Sequence, residues 1–317
     1  MIKAILAVIV GAIITLTLLV PTIMDYSEDQ EDIYAFVIMG QSNAAYNDNV
    51  DVSVVNADTD LHVQPSDASY FFGYNQTSPI KYNANHSLLK TCGLFPITNG
   101  TDFLIGGYEA PFSSIFYEQT GQRCLMINVG WNGQSVEMFQ PGQEGYAYAT
   151  AAVNEAISQA RGLGYDVKYG GVLWSQGEAN RLDTVDEYEN WFKNVWKGIQ
   201  KWGFSNVMIS QTREGQGGNA SIAQEELAAT LPGVYMATEI SNTFTIDAGT
   251  MQSDNMHYTQ EGRILIAEDV ADFYLDNLYK APTEQINGTG TIVAAIPFVV
   301  IAALILGCVA IYAKRND

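Results

Sequence analysis

Ser42, Asp254 and His257 are the residues in this 317-residue chain whose types and setting suit a nucleophile with its base. Ser42 follows Gly40 and Gln41 at the end of the apolar run Ile33–Met39. There Tyr34, Phe36, Val37 and Ile38 supply the uninterrupted apolar sequence of a buried strand. Glycine permits a sharp turn at that strand end, where open α/β sheets bind their ligands. A serine nucleophile needs an imidazole base, and the chain has 3 histidines. His62 has no recognisable partner pattern, and His86 sits inside a glycosylation sequon. His257 has an acid three residues before it, a spacing that lets Asp254 bond one ring nitrogen while the other faces Ser42 Oγ. A developing oxyanion needs donors, for which Ser42 N–H, Gly133 N–H and the Gln176 side-chain amide are the candidates.

Each of these residues also has a plain structural reading. Ser42 is placed to cap a helix after the strand. Asp254 and His257 could form a surface turn before a helix that Thr259 caps, and Gln176 and Glu178 could cap the helix beginning near Thr184. Trp131 and Trp174 read as packing residues, with sugar stacking as the rival role. Tyr70–Tyr74 (YFFGY) is either an exposed loop that contacts substrate or a satellite core.

The elements that must position these groups follow from periodicity. Strands are expected at Ile33–Met39, Arg123–Val129, Gly170–Trp174, Asn206–Ser210 and Val234–Thr238. Helices are expected at Pro111–Gln119, Gly145–Arg161, Thr184–Trp202, Ser221–Thr230 and Thr259–Leu278. This alternation predicts a three-layer α/β/α sandwich around a parallel sheet of about five strands. The first three strands end in the polar turns GQSN, GWNGQS and SQGEAN, which a parallel sheet brings to one edge. Residues 44–107, polar and without periodicity, are expected to be a long loop insertion over the site.

GQSN at 40–43, NGQS at 132–135, WSQGEAN at 174–180 and the D-x-x-H of Asp254 and His257 resemble, in order and separation, the SGNH hydrolase superfamily. Within it the chain is similar to the sialate O-acetylesterase and acetylxylan esterase group of carbohydrate esterases, over about residues 33–280. The resemblance implies a flavodoxin-like SGNH fold, Ser42 as nucleophile, and Asp254 and His257 as the rest of a triad. It further implies Ser42, Gly133 and Gln176 at the oxyanion hole, with Asn43 and Glu178 in support. The substrate it implies is an O-acetylated glycan, cleaved without metal or organic cofactor. Two turns depart from the family pattern: Asn132-Gly133-Gln134 stands for Gly-Gly-Thr, and Asn255 stands for the Gly of Asp-Gly-x-His. Asparagine accepts a left-handed backbone better than most residues. Two other functions share these features: a non-catalytic glycan-binding or envelope protein on the same fold, and a lipid or thioester hydrolase with the same triad.

Two apolar runs, 1–24 and 291–313, are each long enough to span a bilayer as a transmembrane helix. For the first, a cleavable signal peptide is the alternative to an uncleaved anchor. Lys3 on one side and Lys314 and Arg315 on the other put both termini in the cytoplasm and the domain outside. Residues 25–32 then form an acidic connector, 33–280 the esterase domain, 281–290 a linker and 314–317 a cytoplasmic tail. Sequons at Asn75, Asn85, Asn99, Asn219 and Asn287 all fall between the two runs. The chain carries a net charge of -20, and setting aside Lys3, Lys314, Arg315 and Asp317 leaves 12 basic and 34 acidic side chains, a net of -22. That balance repels nucleic acid and acidic lipid. Cys92 and Cys124 are the two cysteines outside the apolar runs, and a disulfide is open to them if their α-carbons approach closely. No oligomeric state follows from the sequence.

Overall fold

Apolar side chains at every position of Ile33–Met39 leave that segment no polar face, and in the computed structural model it is β1 (Asp32–Gly40), buried on both sides. Ile33, Ala35, Val37 and Met39 enter one hydrophobic core, while Tyr34, Phe36 and Ile38 enter another. The period-two alternation of a strand thus places a core on each face of the sheet.

The structure describes residues 30–45, 69–75, 78–79, 86–97 and 107–281. The chain divides into units Met1–Tyr279 and Lys280–Asp317, and the elements below belong to the first. The apolar runs 1–24 and 291–313, the tail 314–317, His62, Asn85, Asn99 and Asn287 lie outside the described residues. Among the described residues no helix is long and apolar enough to cross a membrane.

After β1 come β2 (Tyr70–Asn75), β3 (Ser78–Pro79), β4 (Gly93–Pro96), α1 (Glu109–Thr120), β5 (Arg123–Asn128) and α2 (Glu144–Gly162). There follow β6 (Asp166–Ser175), α3 (Val185–Lys201), β7 (Val207–Ser210), α4 (Asn219–Thr230), β8 (Val234–Thr238) and α5 (Gln260–Asn277). The sheet order is β3-β2-β5-β1-β6-β7-β8, with β4 branching from β2. Pairing is parallel from β2 through β8, and β3 and β4 run antiparallel to β2. Helices α2, α3 and α4 pack into the core of Ile33 and Val37, whereas α1 and α5 pack into that of Phe36. This is the expected three-layer architecture.

One expectation is corrected and two open readings are decided. The sheet is larger than five strands, because the 44–107 insertion contributes β2, β3 and β4. YFFGY is not an exposed loop: Phe71 and Phe72 are buried, one in each core, as successive strand residues must be. Cys92 and Cys124 are both free thiols. Cys92 packs in the core of Ile33 and Cys124 in that of Tyr34, so the sheet itself stands between them.

Helix starts follow local chemistry. Thr184 caps α3 with a full capping box, its side chain accepting from Glu187 N–H while the Glu187 carboxylate accepts from Thr184 N–H. Thr259 caps α5 by accepting from Gly262 N–H.

Candidate active site

The three polar turns meet where β1, β5 and β6 end, and backbone bonds tie them together. Gln41 N–H donates to Ser175 O at 3.1 Å, and Trp131 N–H donates to Gly40 O at 2.8 Å. Gly40 has φ +145°, and a Cβ there would lie 2.0 Å from Ser175 O. Only glycine can bring the chain this close to the neighbouring strand while turning. Ala44 and Ala45 N–H then close one helical turn onto Gln41 O, at 3.0 and 2.8 Å, with Ser42 inside it.

Ser42 Oγ lies 2.9 Å from His257 Nε2, and Asp254 Oδ2 lies 2.6 Å from His257 Nδ1. Asp254 Oδ1 accepts from the backbone N–H of Met256 at 2.9 Å and of His257 at 3.0 Å. Burial pushes the Asp254 carboxyl up, but hydrogen bonds from His257 and Met256 outweigh it and hold the group below its ordinary value. An ionised Asp254 can only accept, so Nδ1 carries the ring proton and Nε2 is left to accept the Ser42 hydroxyl proton. Asn255, at φ 53°, makes the turn that aims the ring, in the left-handed conformation that asparagine accepts better than most residues.

Asn43 joins the Ser42 turn to the His257 loop. Its Nδ2 donates to Glu178 Oε1 at 2.6 Å and to Met256 O at 3.3 Å, and its Oδ1 accepts from Tyr258 N–H at 3.1 Å. Glu178 is 4% exposed, and burial raises its carboxyl pKa above the ordinary value despite the Asn43 bond.

A cavity of about 510 Å³ opens over Ser42 and His257, lined also by Gly133, Glu178, Arg181 and Met256. Gly133 has φ 71° with open space where a Cβ would be, so its turn stands clear beside Ser42. Gln176 sits differently from its expected place. It is fully buried and lies behind the cavity wall, its Nε2 donating to Gln41 Oε1 and Gln134 O, each at 3.2 Å, and to Asn180 Oδ1 at 2.5 Å. Its amide therefore pins the Gln134 turn from behind, and Asn180 Oδ1 adds a bond from Val136 N–H at 2.9 Å. Trp174 is fully buried between Phe139 and Phe192 and so is no sugar platform, while Trp131 is half-buried and packs against the same core.

Sequence reasoning missed the groups beneath the Ser42 turn: Arg263, Tyr108, Asn128 and Glu109. Arg263 had a legible signal, since it shares the buried face of α5 with Ala267, Val270 and Tyr274, where an unpartnered cation would be costly. Tyr108 and Asn128 carried no pattern that separates them from ordinary core and strand-end residues.

The family model for carbohydrate esterases, sialic acid-specific acetylesterase, matches residues 32–276, more than half of the chain. The chain belongs to this carbohydrate esterase family. It is an esterase. The solved structure of an Arabidopsis thaliana protein is similar at TM-score 0.52 and 16% identity, covering 78% of this chain and 99% of that one. A carbohydrate acetylesterase from Xanthomonas citri is similar at TM-score 0.49 and 16% identity, over 77% of this chain and 57% of that one. A lipase/acylhydrolase from Enterococcus faecalis is similar at TM-score 0.43 and 14% identity, over 79% of this chain and 100% of that one. At these identities the first likeness speaks for the fold alone. A sequence comparison with curated proteins finds no match.

Proposed function

We propose that this esterase removes O-acetyl groups from a glycan by a Ser42–His257–Asp254 triad. The observation that carries the reading is the continuous chain of bonds from Ser42 Oγ through both His257 nitrogens to Asp254. His257 Nε2 takes the Ser42 proton as Oγ attacks the acetyl carbonyl, whose π electrons move onto oxygen. Ser42 N–H and Gly133 N–H receive that oxyanion. The C–O bond to the sugar then breaks, the sugar oxygen takes the proton from His257, and acetyl-Ser42 remains. Water, deprotonated by His257, attacks the acetyl group and releases acetate and free Ser42. Asp254 holds Nδ1–H throughout and stabilises the imidazolium.

Arg181, exposed at the cavity rim, suits a sugar that carries a carboxylate, as sialic acid does, over a neutral one. The test uses purified protein on p-nitrophenyl acetate, O-acetylated sialic acid and acetylated neutral oligosaccharides. Ser42→Ala, folded by circular dichroism, is expected to lose at least about a thousandfold in kcat on all of them. Unchanged hydrolysis by that variant sinks the mechanism. Arg181→Gln is expected to raise KM for the sialate and leave the neutral esters alone.

The same proposal places the enzyme at a membrane, anchored by 1–24 and 291–313 with its domain outside, which the run lengths and flanking basic residues support. Protease protection of the full chain in sealed vesicles tests that arrangement.

A further inference from the structure

Beneath the cavity, four consecutive backbone carbonyls of the nucleophile turn end on buried side chains. Ser42 O accepts from Arg263 Nη2 at 3.1 Å. Asn43 O accepts from Arg263 Nη1 at 2.8 Å and from the Tyr108 hydroxyl at 2.7 Å. Ala44 O accepts from Asn128 Nδ2 at 3.0 Å, and Ala45 O from Arg263 Nη1 at 3.3 Å. Arg263 is 0% exposed, and its guanidinium lies 5.6 Å from the centre of the Tyr108 ring.

Satisfying buried carbonyls does not call for a cation. Neutral donors would serve, and a buried guanidinium carries a desolvation cost they avoid. What a guanidinium adds is a planar fork, able to reach three carbonyls of one turn at once, and a fixed charge. Both properties bear on the reacting groups. The fork prevents the 42–45 turn from rotating, so Ser42 Oγ stays within reach of His257 Nε2 and Ser42 N–H keeps its direction. The charge sits one peptide unit from that N–H, where negative charge develops on the acyl oxygen.

We infer that Arg263, seated over Tyr108, is a positioning residue for the nucleophile: it clamps the Ser42–Ala45 turn through its carbonyls and so sets the geometry of attack. The inference rests on Ser42 being the nucleophile, and labelling of the wild-type protein at Ser42 by a fluorophosphonate checks that separately. Absence of label there overturns both readings.

The deciding measurement compares kcat and KM on p-nitrophenyl acetate for wild type, Arg263→Met and Arg263→Lys, with thermal midpoints recorded alongside. Arg263→Met is expected to lose about a hundredfold in kcat, as a misplaced reacting group does. KM should stay within about threefold, since the turn carries attack and not ground-state binding. Arg263→Lys, which keeps the charge and part of the donor set, is expected to recover at least about tenfold of that loss. A folded Arg263→Met with kcat near wild type, or an Arg263→Lys no better than Met, overturns the inference. If Arg263→Met does not fold, Tyr108→Phe decides, since it removes one bond to Asn43 O and little volume. A fall of about fivefold or more in its kcat at constant KM supports the clamp, and an unchanged kcat overturns it.

Discussion

Two carboxyls of the site are pushed in opposite directions, and their environments say why. Asp254 stands at a half-open turn with three hydrogen bonds from Met256 and His257 to its oxygens, and it stays ionised to low pH. Asp254→Asn would accept where Nδ1–H needs an acceptor on only one of its atoms and favours the wrong tautomer. Its kcat is expected to fall roughly 10²–10⁴-fold with little change in KM, measured on p-nitrophenyl acetate. Glu178 is the reverse case, buried with Oε2 lacking a partner among the described residues and with its pKa raised. A carboxyl raised on folding leaves stability intact below its unfolded pKa of about 4.3 and lowers it as pH climbs through the folded value. Glu178→Gln keeps an acceptor for Asn43 and has no proton to lose. Its thermal midpoint, relative to wild type, is therefore expected to rise with pH from about 4 upward. A difference that stays flat with pH would show that Glu178 is not the buried acid its surroundings make it.

Between residues and the whole, the elements act as levers on the site. β1 delivers Ser42 only because Gly40 passes within reach of Ser175 O at a positive φ, so two constraints coincide on one residue. Gly40→Ala is expected to lose activity and lower the thermal midpoint together, since neither the strand contact nor the turn survives a Cβ. The start of α3 makes the contrast. Thr184 is exposed, and its capping box stabilises the helix without touching the cavity. Thr184→Ala is expected to cost about 1 kcal/mol of stability, read from denaturant unfolding, with kcat/KM unchanged. The Thr259 cap and all five expected strands were readable from sequence, because caps and buried runs are local patterns, whereas at α3 the cap is Thr184 and not Gln176 or Glu178. The β2–β4 segment was not, since YFFGY is short and lies in polar surroundings, and only pairing with β3, β4 and β5 makes it a strand.

At the scale of the molecule, the sheet decides what can meet what. It separates Cys92 from Cys124, so a reducing agent is expected to leave the thermal midpoint unchanged, whereas a bridge would contribute about 2–4 kcal/mol. It also gives the first unit two poles. Ser42 lies at the carboxyl end of β1, and Tyr34, near the other end, meets Tyr279 with ring centres 5.6 Å apart. Tyr34 and Tyr279 thus lie roughly 20 Å of strand from the end of β1 that carries Ser42.

By itself the sequence determined the α/β alternation, the serine at the first strand end, the histidine with its acid, and the order of four turns, since each is written in residues close along the chain. Tertiary structure alone decided where Gln176 points, that Arg263 and Tyr108 reach the carbonyls of Ser42 and Asn43, and that the two cysteines lie apart. Those contacts join residues up to 221 positions apart. Their partners are chosen by register, by which face of a strand or helix is inward, and by the need to satisfy buried carbonyls, none of which is local.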